Sequence, residues 1–240
     1  MRADQIRFEI AMARRILARE GCESAVAGHV SVRVPGEDAF WVSPFEYFDE
    51  TVPERVIKSS FDLELLEGDW EPSPAIKFHA AFYRARPDVG CVIHTHSHYA
   101  MVLATTGRLL GMYNDMAALF LDEQVVYVED GEHPPVDGSR LCAAVGADRH
   151  VVIVKNHGAI FLGDSIETTT VEAFTFEKCA RIQIEAEMIG GTEHTRAYVE
   201  RGKQAYHRYF RPEMWAAAVR RLRRDDPELF AHREHLTAVR

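Results

Sequence analysis

Two histidines stand two residues apart in the run Cys91-Val92-Ile93-His94-Thr95-His96, and a third, His157, follows the apolar run Val151-Val152-Ile153-Val154. If the first run is a strand, His94 and His96 project to one face at roughly 6.5 Å, twice the rise per residue, and can close on a single ion. Imidazole nitrogen suits zinc, manganese, iron and cobalt alike. A catalytic centre then needs a third protein ligand and a coordination position left open. His157 is the best candidate, because Gly158 beside it permits a tight turn that sets a side chain in a cleft. His94, His96 and His157 with one divalent ion (Zn, Mn, Co or Fe) would act as a Lewis acid and stabilise an enolate-like carbanion. His98 continues the alternation and is an alternative fourth ligand, unless Ser97-His98-Tyr99 begins a helix. His79, upstream in a helical stretch, either faces the substrate or packs in the core.

The elements that must position these residues are legible in the periodicity. Ile6, Ile10, Met12, Ala13, Ile16 and Leu17 recur at helical spacing, with Asp4 as a cap and Gly21 as a stop. His29 to Val34 and Ala39 to Ser43 flank Pro35-Gly36-Glu37-Asp38 and predict a hairpin. A helix is expected over 75–86, ended by Pro87, followed by the strand that carries His94. A short helix, a strand near Val125–Val128, a helix over 139–145 and the strand before His157 come next. Ala159 to Gly163 continues after the turn. A long helix from Ser165 or Ile166 to Ile189 stops at Gly190-Gly191. The remainder is helical in pattern and rich in aromatic residues. Strands are too many for an all-α fold, and hairpin signals break the βαβ rhythm, so a mixed α/β layered domain is expected.

The chain has 240 residues, of which 28 are Lys or Arg and 37 Asp or Glu, for a formal net charge of −9. That balance, without a long basic stripe before Arg220-Arg221-Leu222-Arg223-Arg224, argues against nucleic acid as a partner. Four dispersed cysteines with no CxxC pair suit reduced thiols and a cytoplasmic location. Charges run through the apolar N-terminal stretch, which excludes a secretory h-region there, and no apolar run reaches 18 residues, so no membrane association is expected.

Several stretches taken together resemble the class II aldolase/adducin family from about Asp4 to Gly190. They are Ala27-Gly28-His29-Val30-Ser31-Val32-Arg33, Phe78-His79-Ala80-Ala81, Arg86-Pro87-Asp88, His94-Thr95-His96 and Lys155-Asn156-His157-Gly158. The resemblance implies a three-layer α/β/α domain with a mainly antiparallel central sheet over residues 1–190. The helical extension, 191–240, would pack on the same domain or on a neighbouring subunit. It also implies a homotetramer whose metal, held by three histidines, lies at subunit boundaries. Members include sugar-phosphate aldolases and epimerases, a dehydratase, aromatic-acid decarboxylases, and adducin.

Departures from the aldolase pattern carry the functional expectation. Where those enzymes have an acid/base glutamate three residues before the Phe-His pair, this chain has Ala75. Their phosphate cradle corresponds here to Gly28-His29, Ser43-Pro44-Phe45-Glu46 and Ser73-Pro74. A bulky Phe45 beside anionic Glu46 opposes the close approach of amides to a phosphate dianion. Gly28, His29, Ser43, Phe45 and Ser73 are therefore expected to line a site for a non-phosphorylated hydroxy-acid. In that site Phe45, Tyr47, Phe48 and Tyr113 either stack on a flat aromatic ligand or pack the core.

The expected reaction is decarboxylation of a hydroxylated aromatic or heteroaromatic acid, in character closest to the decarboxylase members. Tyr113 and His79 are the candidate proton donors, and Asn114 and Asp115 compete for the role. Tyr113 falls where the family places a tyrosine reaching a neighbouring subunit. Lys77 and Arg33 either meet a substrate carboxylate or serve as a solvated charge and a sheet-edge tie. Alternatives are a sugar-phosphate aldolase or epimerase with a changed acid/base residue such as His79 or Glu46, a non-catalytic adducin-like assembly module, and iron-dependent oxygen chemistry.

Overall fold

The computed structural model describes residues 2–231. The chain opens with α1 (Ala3–Arg19) and the hairpin β1 (His29–Arg33) and β2 (Ala39–Val42), then β3 (Ile57–Ser60) and β4 (Leu65–Glu67). Next come α2 (Lys77–Ala85), β5 (Cys91–Thr95), α3 (His98–Thr105), β6 (Gln124–Tyr127) and α4 (Gly138–Val145). The hairpin β7 (Val151–Val154) and β8 (Gly158–Gly163) leads into α5 (Ile166–Met188). Finally α6 (Arg196–Ala205), a π turn (Tyr206–Phe210) and α7 (Arg211–Asp225) form one continuous helical run.

The strands form one sheet in the order β4-β3-β2-β1-β5-β8-β7-β6. Every pairing is antiparallel except β6 with β7, so the sheet is mainly antiparallel. Its alternating side chains feed two cores. Val30, Val32, Cys91, Ile93 and Phe161 meet α1, α3 and α5 on one side. Val42, Val92, Val152, Val154, Ile160 and Leu162 meet α2 and α4 on the other. The result is the expected three-layer α/β/α architecture, with helices covering both apolar faces.

Differences from the sequence reading are local. Arg2, not Asp4, occupies the α1 N-cap, and Asp4 lies in the first turn. The helix expected over 75–86 begins as a 3-10 turn, Pro74–Ile76, whose first free amide is taken by Ser73 Oγ; α2 proper starts at Lys77. β3 and β4 were not anticipated, being only four and three residues long, and Leu65 and Leu66 are exposed. α6 and α7 bury Val199, Ala218 and Leu222 in the α1/α5 layer. Ion pairs of Arg211 with Glu172 and of Arg15 with Asp226, both 2.6 Å, tie the extension down. The part of that extension over 232–240 lies outside the described residues.

Candidate metal centre

β5 sits in the middle of the sheet, and its C-terminal end delivers His94 from a fully buried strand into the layer beneath α2. His96 follows immediately; its backbone N–H donates to Ser24 Oγ at 2.7 Å, which holds the chain as it leaves the sheet. His157 enters from the β7–β8 turn, where Asn156 takes φ 60°. Asparagine is among the few non-glycine residues that adopt this conformation readily. Gly158 is required by close approach, since a Cβ there would lie 2.4 Å from Thr95 O and 3.0 Å from His96 Cδ2.

These constraints bring three rings together. Ring centroids are 4.5 Å apart for His94 and His96, 5.2 Å for His94 and His157, and 4.8 Å for His96 and His157. One ligating nitrogen from each lies within 4.8 Å of the others. His94 Nδ1 donates to Ala159 O at 2.9 Å, which fixes the tautomer and leaves Nε2 as a lone pair, 2.9 Å from His96 Nε2. An outer-shell hydrogen bond of this kind is what orients a metal-bound imidazole. Burial, reinforced by the neighbouring histidines, holds His94 well below the usual imidazole range and His96 at about 4; burial also lowers His157 against the opposing pull of Glu129. All three imidazoles are therefore neutral at pH 7, and the donor set fits one divalent ion such as zinc, manganese, cobalt or iron. His98 is exposed on the first turn of α3, packed on Tyr99, and stands outside this cluster.

A second, fully buried polar layer lies against His94. His29 is opposite His94 in the β1–β5 pairing, and their rings are 5.5 Å apart. His79, on α2, places its ring 5.4 Å from His29. His79 Nδ1 bonds Ser31 Oγ at 2.7 Å, and Ser31 Oγ bonds Tyr83 Oη at 2.7 Å. Both nitrogens of His29 and Nε2 of His79 have no hydrogen-bond partner among the described residues. Sequence reasoning picked out the two histidines and missed Ser31 and Tyr83. Ser31 lies one strand repeat from His29, and Tyr83 one helical turn from His79, so both were recoverable.

The positions matching a phosphate cradle are occupied from within. The ring of Phe48, completely buried, fills the space beside Gly28, where an added Cβ would lie 2.4 Å from Phe48 Cζ. Ser43 Oγ accepts from Val30 N at 3.2 Å, and Ser73 Oγ accepts from Ala75 N at 3.3 Å. In the loop after β2 every amide has a partner: Ser43 N to Val30 O, Phe45 N to Glu71 O, Glu46 N to Pro44 O, and Tyr47 N to Glu50 Oε2, with Pro44 having none to offer. Buried Arg14, missed in the sequence, anchors this loop. It donates to Pro44 O at 2.8 Å and Glu46 O at 2.6 Å, with its guanidinium over the Phe48 ring. Phe45 and Tyr47 are close to half exposed, whereas Phe48 belongs to the core.

Other expected site residues lie elsewhere. Tyr113 donates to Glu187 Oε1 at 3.2 Å, beside Arg108 on the same carboxylate. Asn114 caps the 3-10 turn Asp115–Phe120, and Asp115 meets His194 at 3.4 Å. Lys77 is exposed. Arg33 donates to Val89 O and Arg86 O, tying β1 to the end of α2. Glu46 accepts from Arg55 at 2.8 Å.

An α/β/α sheet with three convergent imidazoles at one end of its central strands defines a metal-centre architecture, and comparison with known proteins gives its family. Residues 8–184 match the class II aldolase and adducin N-terminal domain, and the chain belongs to that family. It is 32% identical to 5-deoxy-D-ribulose 1-phosphate aldolase of Bacillus thuringiensis over 77% of this chain and 86% of that one. It is 28% identical to the decarboxylase NovR of Streptomyces niveus over 82% and 75% of the two chains. The fold superposes on an aldolase II superfamily protein from Pseudomonas syringae with a TM-score of 0.83, covering 93% and 94% of the chains at 23% identity.

Proposed function

We propose that this protein is a metal-dependent carbon–carbon lyase that decarboxylates a non-phosphorylated, hydroxylated aromatic or heteroaromatic carboxylic acid. The observation that carries the reading is the loop after β2: no amide of residues 43–47 remains to cradle a phosphate, and Phe48 fills the space against Gly28. Ala75, where an aldolase base would stand, carries no proton-transfer group. Exposed Phe45 and Tyr47 suit the rim of a site for a flat ring.

In this reading His94, His96 and His157 hold the ion, and their neutrality leaves its full charge available. When bound, it supplies Lewis-acid stabilisation of the charge that develops on the ring as CO₂ leaves. The buried layer of His29 and His79 faces the same region and orients the acid. A proton must then reach the ring carbon; Tyr113, contributed across a subunit boundary of a homotetramer, and His79 are the proposed donors. The protein would act in the cytoplasm on a small soluble acid.

The test is CO₂ release from a panel of ortho-hydroxy aromatic acids by zinc- or manganese-loaded protein. Loss of turnover with a chelator, and its recovery on adding the ion back, are expected. Undiminished turnover in metal-free protein would overturn the reading. The identity to 5-deoxy-D-ribulose 1-phosphate aldolase favours a second reading, retro-aldol cleavage with His79 or Glu46 as the acid/base group. Cleavage of a ketose 1-phosphate without CO₂ release would establish it instead.

A further inference from the structure

Beneath the metal centre, β1 and α2 share a polar chain that metal ligation does not need. Tyr83 Oη, Ser31 Oγ and His79 Nδ1 follow one another at 2.7 Å, all buried. Each hydroxyl has one proton to place, and only one arrangement places both. Tyr83 donates to Ser31, Ser31 donates to His79 Nδ1, and the ring proton of His79 then sits on Nε2. If Nδ1 carried the proton instead, Ser31 would accept it and could donate only to Tyr83. The Tyr83 proton would then have no acceptor among the described residues and no room to gain one inside the core, whereas the first arrangement leaves its one unpartnered N–H on His79 Nε2, beside His29 and the metal centre, where a ligand can meet it.

The far end of this chain is open. His79 Nε2 and both nitrogens of His29 are buried with no partner among the described residues, and His29 stands 5.4 Å from the His79 ring and 5.5 Å from the His94 ring. Whichever tautomer His29 adopts, it too carries one N–H. Arg14 lies on the same side, with its Nη atoms donating to the backbone carbonyls of Pro44 and Glu46 and no carboxylate among the described residues hydrogen-bonding it, while Glu46, Glu23 and Glu50 act on it through space. Two N–H donors side by side in a buried layer suit the two oxygens of a carboxylate.

We infer that Tyr83 and Ser31 are positioning residues that lock His79 as the Nε2–H tautomer, and that His79 and His29 together bind the substrate's carboxylate beside the metal. This assignment rests on the proposed reaction for its ligand but not for its hydrogen-bond chain.

Ring ¹⁵N NMR of histidine-labelled protein tests the chain directly. His79 is expected to show a protonated Nε2 and a bare Nδ1, and Tyr83→Phe should shift it to a mixture of tautomers. Ser31→Ala serves if that variant does not fold. A protonated Nδ1 in the wild-type protein overturns the inference.

Calorimetry of zinc-loaded protein with benzoate tests the ligand. His29→Leu and Tyr83→Phe should each weaken binding about tenfold, the loss of one good hydrogen bond, at unchanged zinc content. His79→Gln, which sets an amide N–H near the position of Nε2, should keep binding within about threefold and make Tyr83→Phe silent. A purely packing role would leave Tyr83→Phe equally costly in both backgrounds. Absent benzoate binding by the wild type, unchanged affinity in His29→Leu, or loss of zinc from that variant overturns the inference. Benzoate binding without CO₂ release from any hydroxyaromatic acid fails the proposed reaction and leaves the carboxylate site standing.

Discussion

His29 and His94 are direct cross-strand neighbours on β1 and β5, on the same face of the sheet, with ring centroids 5.5 Å apart. One belongs to the histidine cluster that could hold an ion and has its second nitrogen tied to Ala159 O; the other has neither nitrogen tied to any atom of the described residues. On the proposed reading the pair divides the centre into a part that would hold an ion and a part that would meet its ligand, and each part can be tested.

Truncating a ligand should empty the centre without unfolding the domain. His157 is half-buried on a turn, so His157→Ala removes little core contact. Its zinc affinity, measured against a chromophoric chelator, should fall by more than the ~10–100-fold typical of losing an outer-shell partner. An unchanged affinity would remove His157 from the ligand set.

Gly28 distinguishes packing from ligand approach. Gly28→Ala drives a methyl group into Phe48 and should destabilise the fold by about 1–3 kcal/mol in urea titrations. Phe48→Leu in the same chain should recover part of that loss. Full stability in Gly28→Ala would mean that the glycine serves something other than the Phe48 contact.

Arg14 should matter to the loop more than to charge balance. Burial lowers its guanidinium to about 10, still charged at pH 7, where it satisfies the carbonyls of Pro44 and Glu46. Arg14→Met leaves both acceptors without that donor and should cost about 2–3 kcal/mol. Hydrogen exchange should quicken selectively over residues 43–48; protection unchanged there would refute the anchoring role.

The end of the sheet away from the metal carries an acid-sensitive link. Burial alone would raise Glu123, but hydrogen bonds from His150 and Lys203 outweigh it and leave its carboxyl at about 2, against an ordinary value of 4.5. A depressed carboxyl contributes stability above its unfolded value and loses it as pH falls through the folded one, so the loss runs from about 4.5 to about 2. His150, raised by the same contact, contributes below its unfolded value of 6.5 and loses that share as pH rises through its higher folded value. Glu123→Gln should therefore cost of order 2 kcal/mol at neutral pH and flatten the acid limb of a stability–pH profile. Parallel profiles for the two proteins would refute this.

Much of the candidate centre was legible because its histidines sit on or beside strands, where a spacing of two has one geometric meaning. His94 and His96 could be paired for that reason, His157 joined them through its place after an apolar run and beside Gly158, and the layered fold followed from the periodicity around them. Ala75 could be read as a missing carboxylate only through the resemblance to the sugar-phosphate aldolases, by counting back from Phe78-His79. Arg14 was not, because a charge on the apolar side of α1 reads as an ordinary helix residue until the loop it holds is seen. Phe48 and Phe45 were indistinguishable in sequence, yet one is core and the other rim, since the backbone turn between them decides which side each faces. β3 and β4 escaped because strands of four and three residues have too little periodicity to stand out.

The register of the central strands has a wider consequence. His94 pairs with Ile160 on one side and His29 on the other, so its position comes from the hydrogen-bond ladder of the sheet rather than from a pliable loop. Displacements in such a ladder come in whole residues, and a slip of one would turn His94 to the opposite layer. This centre cannot drift gradually out of tune: for its strand-borne members, being folded and being assembled are the same event.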